Sequence, residues 1–159
     1  MRKRLKKAKA CESLKAKDIP GIPDNDLLLA VMRWMRDKAG GGCEFDVIAS
    51  LPLPCQYVYA CDAAVVEVCN GGLDQYYFNT GGVFAALAEE GFRAIGSPPL
   101  AAVMRQADQV AEKSKVIHEE HGDGLFDELD CAFYNAMEAE GYDALCVAYI
   151  RGNAASFGD

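Results

Sequence analysis

The sequence predicts an all-α fold, a single compact helical domain of about six or seven helices behind a basic N-terminal tail. Apolar residues recur three and four positions apart along most of the chain, which is the period of an amphipathic helix. Glycine and proline clusters divide these stretches into lengths typical of helices. No run of alternating β-branched residues indicates a strand. With 159 residues, 51% of them hydrophobic, the chain is long enough to bury one core.

The charge distribution predicts two parts. Residues 1–20 hold eight Lys and Arg against two acids, so they carry +6 of a total of −8, and residues 21–159 carry −14. We therefore predict a basic, mobile tail over residues 1–20 and an acidic helical domain over residues 21–159. The prolines and glycine of residues 19–23 are expected to exclude regular structure there.

Three helices are predicted in the first half of the domain. Asp24, Asn25 or Asp26 can cap the first, and three glycines end it. A short helix follows and stops at the Leu-Pro-Leu-Pro of residues 51–54. The third keeps helical apolar spacing and ends at Asn-Gly-Gly, residues that tolerate the left-handed conformation. The predicted ranges are 24–39, 45–51 and 55–70.

Four more helices are predicted in the second half. A Gly-Gly pair opens one that Gly96 closes, and Ser97 is a suitable cap for a helix with Pro98 at its first position. The long helix from Pro98 has an apolar seam three and four residues apart, and glycines break the chain after it and after the next helix. The predicted ranges are 81–96, 98–121, 125–140 and 142–151.

The segment of residues 70–82, here called the signature segment, holds three successive aromatic residues among glycines and amides. Base-stacking platforms lie in basic grooves, and this region has no cation between Lys38 and Arg93. We therefore predict an ordered loop between two helices, with the aromatics filling the core and Gln75 and Asn79 bonding the loop backbone. The structural residues of this prediction are Asn70, Gly71, Gly72, Gln75, Tyr76, Phe78 and Asn79.

Several classes of protein are not expected. No apolar run is long enough to span a membrane, and the basic N-terminus lacks the apolar core of a secretory signal. Seven cysteines without a C-x-x-C pair do not indicate a disulfide framework. Those at helical positions, Cys61, Cys69, Cys131 and Cys146, are predicted to be buried free thiols. We therefore expect a soluble, cytoplasmic protein.

No catalytic or cofactor site is predicted. His118 and His121 lie three residues apart, whereas zinc-binding helices place two histidines four apart, and no third ligand is evident. No phosphate-binding, dinucleotide-binding or nucleophile motif occurs. We predict no metal, no cofactor and no enzymatic activity.

The signature segment and its flanks, VCNGGLDQYYFNTGG followed by ALAEEGFRAIG, carry a resemblance to a known family. They resemble the N-G-G-F-x-Q-F/Y-F-x-N-x-x-G signature of a bacterial domain family, the DNA-mimic protein nineteen family, over roughly residues 25–152. Leu73 stands where the family carries an aromatic residue. The resemblance implies an all-α fold, a homodimer, no known catalysis and, in the named member, a carboxylate-rich surface that imitates DNA.

The acidic residues of the second half are the candidate partner-binding surface. Acids three or four apart on a helix lie about 5–6 Å from each other, as a DNA mimic requires. The predicted set is Asp108, Glu112, Glu119, Glu120, Asp123, Asp127, Asp130, Glu140 and Asp143.

The predicted function is a non-enzymatic DNA mimic that occupies the DNA-binding face of a basic protein and inhibits it. The acidic body itself is expected to bind neither nucleic acid nor membrane. Two alternatives remain open. One is a helical protein or enzyme with a pocket near residues 70–82, involving Asp74, Tyr76 or His118, with acids that are merely solvated. The other is a regulator whose cationic tail contacts nucleic acid or its own acidic body.

Overall fold

The computed structural model describes residues 13–40, 44–114 and 124–159, and it confirms the all-α prediction. The described residues form seven α-helices and two short 3-10 helices, Ala16–Gly21 and Ala154–Ser156. None of these helices is long and apolar enough to cross a membrane. The α-helices are α1 Asp24–Ala39, α2 Glu44–Ala49, α3 Leu53–Thr80, α4 Ala85–Ile95, α5 Pro98–Ser114, α6 Asp127–Glu140 and α7 Tyr142–Gly152.

Helix α3 lies at the centre of the fold and packs against α1, α2, α4, α6 and α7. Its closest neighbour is α4, which in turn packs on α5, while α5 packs on α6. Gly91 of α4 permits this approach, because a Cβ there would lie 2.9 Å from the Tyr57 carbonyl oxygen and 2.8 Å from the Cys61 sulfur. The resulting core is one continuous cluster of buried apolar side chains.

The chain around Ile19 differs from its prediction. Residues 16–21 form a 3-10 helix where no regular structure was expected. Ile19 is fully buried, and Leu14 packs against the same core. The Arg151 guanidinium donates hydrogen bonds to the carbonyls of Ile19 and Ile22, at 3.0 and 2.8 Å. Among the described residues, packing on the core therefore extends back to Leu14, within the segment predicted as tail, and residues 1–12 lie outside the described part.

One predicted helix limit also changes. The helix predicted from residue 81 begins at Ala85, because Gly81 and Gly82 take positive φ angles of 60° and 71° after α3 ends. The helix predicted over residues 98–121 is described as far as Ser114. Its remainder lies outside the described residues.

The prediction of a loop at the signature segment is wrong. Residues 73–80 are helical, and α3 continues through a kink at Gly71 and Gly72. Gly72 has φ 79° and ψ −177°, a conformation that is essentially restricted to glycine. After the kink, the Leu73 N–H donates to the Asp130 carboxylate at 2.8 Å, so an acid from α6 caps the second half of the helix. The regular helix therefore stops at Asn70, as predicted, and a second helical stretch begins at Leu73 in place of the predicted loop.

The aromatic side chains of this segment do not all face the core. Tyr76 and Tyr77 are buried, whereas Phe78 is 47% exposed, which corrects its prediction. Successive residues of a helix point about 100° apart, so three in a row cannot share a buried face. The amides of Gln75 and Asn79 also differ from prediction, since both donate to the Glu67 carboxylate, at 2.9 and 2.7 Å, and not to a loop backbone.

Exposure of Phe78 leads to a stability prediction. We expect Phe78→Ala to lower the free energy of unfolding by about 1 kcal/mol or less, because about half of the side chain is already exposed in the folded protein and alanine is the better helix former. Urea unfolding followed by circular dichroism measures this change. A loss of about 3 kcal/mol or more, typical of a buried aromatic, would contradict the described position of Phe78.

The cysteines divide into two groups. Cys61 and Cys146 are buried as predicted, but Cys69 and Cys131 are exposed, because they lie on the outer faces of α3 and α6. All of these thiols are free, as is buried Cys55. Cys11 and Cys43 lie outside the described residues.

Candidate partner-binding surface

Three carboxylates meet where α4 packs on α5, and we call Glu89, Asp108 and Glu112 the α4–α5 cluster. Asp108 and Glu112 lie one turn apart on α5. Partial burial raises the pKa of Asp108, and the negative charges of Glu112 and Glu89 raise it further. Arg93 bonds Glu89 at 2.7 Å along α4, so a cation lies at one edge of the cluster. Asp108 and Glu112, the other two members, have no cationic partner among the ion pairs of the described residues.

A second group, the α3–α6 cluster, consists of Asp74, Asp127 and Asp130. Partial burial raises the pKa of Asp130, the hydrogen bond from the Leu73 amide lowers it, and the charges of Asp127 and Asp74 raise it. Asp127 and Asp130 belong to the first turn of α6, where the positive end of the helix dipole stabilises negative charge. Asp130 therefore both fixes the α3 kink and contributes negative charge to this surface.

A buried aromatic pair connects the two clusters. The rings of Tyr77 and Phe126 stack with centroids 5.5 Å apart and planes inclined by 16°. Burial raises the pKa of the Tyr77 hydroxyl, and the nearby charge of Asp108 raises it further. Phe126 directly precedes Asp127 in the chain. The carboxylates of both clusters are thus held by helices that pack on the core, and not by a loop.

The predicted acidic residues are not all brought together. Asp108 and Glu112 lie in the α4–α5 cluster, and Asp127 and Asp130 lie in the α3–α6 cluster. Glu140 ends α6, and Asp143 lies in the first turn of α7, where its negative charge contributes to raising the pKa of Asp62. Three more predicted acids lie outside the described residues, together with both histidines: Glu119, Glu120, Asp123, His118 and His121.

Glu89 and Asp74 are members of the clusters that the acidic set did not include. Each comes from a different helix from its cluster partners, so no spacing along the chain reveals it. Asp74 lies two residues after Gly72, and the kink brings it to Asp130. Only the packing of α4 on α5 and of α3 on α6 assembles these groups.

A cleft of about 500 Å³ adjoins the end of the signature segment, as the enzyme alternative requires. Glu67, Asn79 and Thr80 line it. Two of the residues named by that alternative do not line this cleft, since Tyr76 is buried and Asp74 belongs to the α3–α6 cluster; the third, His118, lies outside the described residues.

Little reactive chemistry is evident among the described residues. Burial raises the pKa of Cys55 to about 12, which leaves its thiol protonated at neutral pH and therefore a poor nucleophile. Across residues 13–40, 44–114 and 124–159, no three or more His, Cys, Asp or Glu side chains, those of the two acidic clusters included, are close enough together to hold a metal ion.

Comparison with known proteins gives one family match. The model of a family described as DMP19-like protein matches residues 49–153, about two thirds of the chain. The matched region includes α3 to α7 and leaves out α1. No curated protein and no solved structure matches the chain.

Proposed function

Because the chain belongs to the DMP19-like protein family, we propose that it is a non-enzymatic DNA mimic. Its acidic surface occupies the DNA-binding face of a basic, DNA-binding protein and inhibits that protein, with transcription regulation as the expected consequence. The observation that carries the proposal is the pair of carboxylate clusters on packed helices, at α4–α5 and α3–α6.

The neighbouring negative charges that raise the pKa of Asp108 and Asp130 also repel these two carboxylates, so each cluster lowers the stability of the fold to some extent. A partner's lysines and arginines relieve this repulsion on binding. DNA presents the same chemistry, a rigid series of anions that cations of the protein neutralise. The net charge of −14 over residues 21–159 strengthens the attraction to a basic partner and opposes binding of nucleic acid by this surface.

We extend the proposal to a cytoplasmic homodimer, in which two copies of each cluster would face the partner. A dimer also matches the two-fold symmetry of many DNA-binding proteins, whose half-sites lie one helical turn apart.

The test is competition with DNA. The full chain is immobilised, incubated with host lysate at moderate salt, and then washed with duplex DNA. We expect DNA-binding proteins to be retained and to be released by the DNA, because both ligands need the same cations. The affinity should fall at least about tenfold between about 50 and about 200 mM salt. A partner that holds DNA and this chain at the same time would contradict the proposal.

A further inference from the structure

Four large apolar side chains that are exposed in the described structure line one depression beside α1, made of two adjoining spaces that share three lining residues. The four side chains are Leu29, Phe45, Val66 and Val83, with Leu29 57% and Val66 40% exposed. Contiguous exposed apolar surface of this kind is typical of an interaction site. We call this depression the α1 groove. Both acidic clusters lie outside its lining.

Three helices form the first and larger part of the groove, a space of about 880 Å³. On α1, the lining residues lie at helical spacing from Asp24 to Arg36. Helix α3 contributes Asp62 and Val66, and α7 contributes residues at helical spacing from Asp143 to Arg151. Twelve residues of helix rise about 18 Å, so the groove accommodates about three turns of a further helix. The second part, about 500 Å³, shares Met32, Arg36 and Val66 with the first and extends towards α2.

The charges of the groove favour a cationic occupant. Both of its arginines are already ion-paired, Arg36 with Asp62 at 3.0 Å and Arg151 with Asp24. Three lining carboxylates have no cationic partner among the described residues; they are Glu44, Glu67 and Asp143. The groove therefore carries an excess of negative charge beside an apolar floor and walls.

We infer that the α1 groove docks about three turns of a basic amphipathic helix from a protein partner. The apolar face of that helix packs on Leu29 and Val66, and its flanking lysines or arginines meet Glu67 and Asp143. This is the helix-in-groove mode of recognition, in which apolar anchors recur every three or four residues. The site is separate from the proposed DNA-mimic surface, and its α1 wall lies outside the residues that match the family.

The first test uses a fluorescein-labelled synthetic helix of leucine and lysine, about 14 residues long, with its leucines on one face. A second peptide of identical composition has its leucines distributed around the helix. Fluorescence anisotropy with the full chain at physiological salt measures both affinities. We expect the amphipathic peptide to bind at least about tenfold more tightly, since only its leucines can all enter the groove.

Variants of the chain separate groove docking from general charge attraction. Leu29→Glu with Val66→Glu adds two carboxylates inside the groove, so charge attraction alone would tighten binding, whereas docking predicts a loss of at least about tenfold. Leu53→Glu with Phe78→Glu adds the same charge at exposed apolar positions outside the groove and should retain binding. Circular dichroism checks the fold of each variant, and Leu29→Ala with Val66→Ala provides a milder test with a smaller expected loss.

Three outcomes would overturn this inference. Equal binding of the two peptides, or unimpaired binding by the Leu29→Glu, Val66→Glu variant, would show that charge alone attracts them. A third outcome combines two measurements: the wild type binds neither peptide, and sedimentation finds that the wild type is a dimer while the Leu29→Glu, Val66→Glu variant is a monomer. That outcome would assign the groove to a second copy of the chain. Substitution of Asp108 and Glu112 should leave peptide binding unchanged, which distinguishes this site from the DNA-mimic surface.

Discussion

Replacing Glu112 and Asp127 by lysine is expected to weaken binding of the DNA-binding partner by about 100-fold or more. The two side chains are exposed, and each belongs to a different cluster, so the pair reverses charge at both. A mispaired or unpaired charge at an interface typically weakens the binding free energy by about 2–5 kcal/mol, and about 1.4 kcal/mol corresponds to a tenfold change in affinity. Titration of the captured partner against wild type and variant, at one salt concentration, measures the change.

A matched variant tests whether position or total charge matters. Asp26→Lys with Asp46→Lys produces the same change in net charge at exposed positions of α1 and α2, away from both clusters. Mimicry requires carboxylates at particular places, so this control should retain binding within about tenfold. If the two variants weaken binding equally, the acidic surface acts only as diffuse charge and the mimic proposal is wrong.

Helix periodicity and glycine punctuation predicted most of the fold. Val58, Cys61 and Val68 recur at helical spacing, and all three are buried in α3. The pair of Ser97 and Pro98 predicted that α5 begins at Pro98, and it does. These features depend on neighbours within one or two turns, so they can be read directly from the chain.

The errors of prediction fall where a distant residue decides the local structure. Asn-Gly-Gly commonly ends a helix, but Asp130, 57 positions further along, caps the chain after Gly72 and lets the helix resume. Ile19 similarly forms part of a 3-10 helix with its carbonyl bonded by Arg151, which is 132 positions away. Sequence patterns within a short window contain no information about such contacts.

The candidate site shows the same division. The pairing of Asp108 with Glu112 follows from their spacing on one helix, and it was predicted. The addition of Glu89 depends on how α4 packs on α5, and the separation of Asp143 from the clusters depends on where α7 lies. A list of acids from the sequence therefore gives the charge of the surface but not its arrangement.

Gly72→Ala is expected to lower the free energy of unfolding by about 3 kcal/mol or more. The backbone of Gly72 lies in a region that other residues enter only with about 1–3 kcal/mol of strain. A Cβ there would also lie 2.5 Å from the Asp130 carboxylate oxygen Oδ2, and moving that side chain breaks its hydrogen bond to the Leu73 amide. Loss of that charge-assisted bond adds about 1.5–3 kcal/mol. Urea unfolding of wild type and variant measures the difference.

Gly71→Ala provides the control at the neighbouring position. Gly71 has φ −166°, outside the positive range that favours glycine, and its new Cβ would meet the Gln75 side chain, most closely at the movable amide and at 3.1 Å from the Gln75 Cβ. We expect a loss of about 1 kcal/mol, from the hydrogen bond between Gln75 and Glu67 that this movement breaks. Equal losses for the two variants would contradict the described kink, because only Gly72 combines a positive φ with the Asp130 contact. A larger loss at Gly72 is the result expected from the kink, where the left-handed backbone and the contact with Asp130 of the acidic surface coincide in the signature segment.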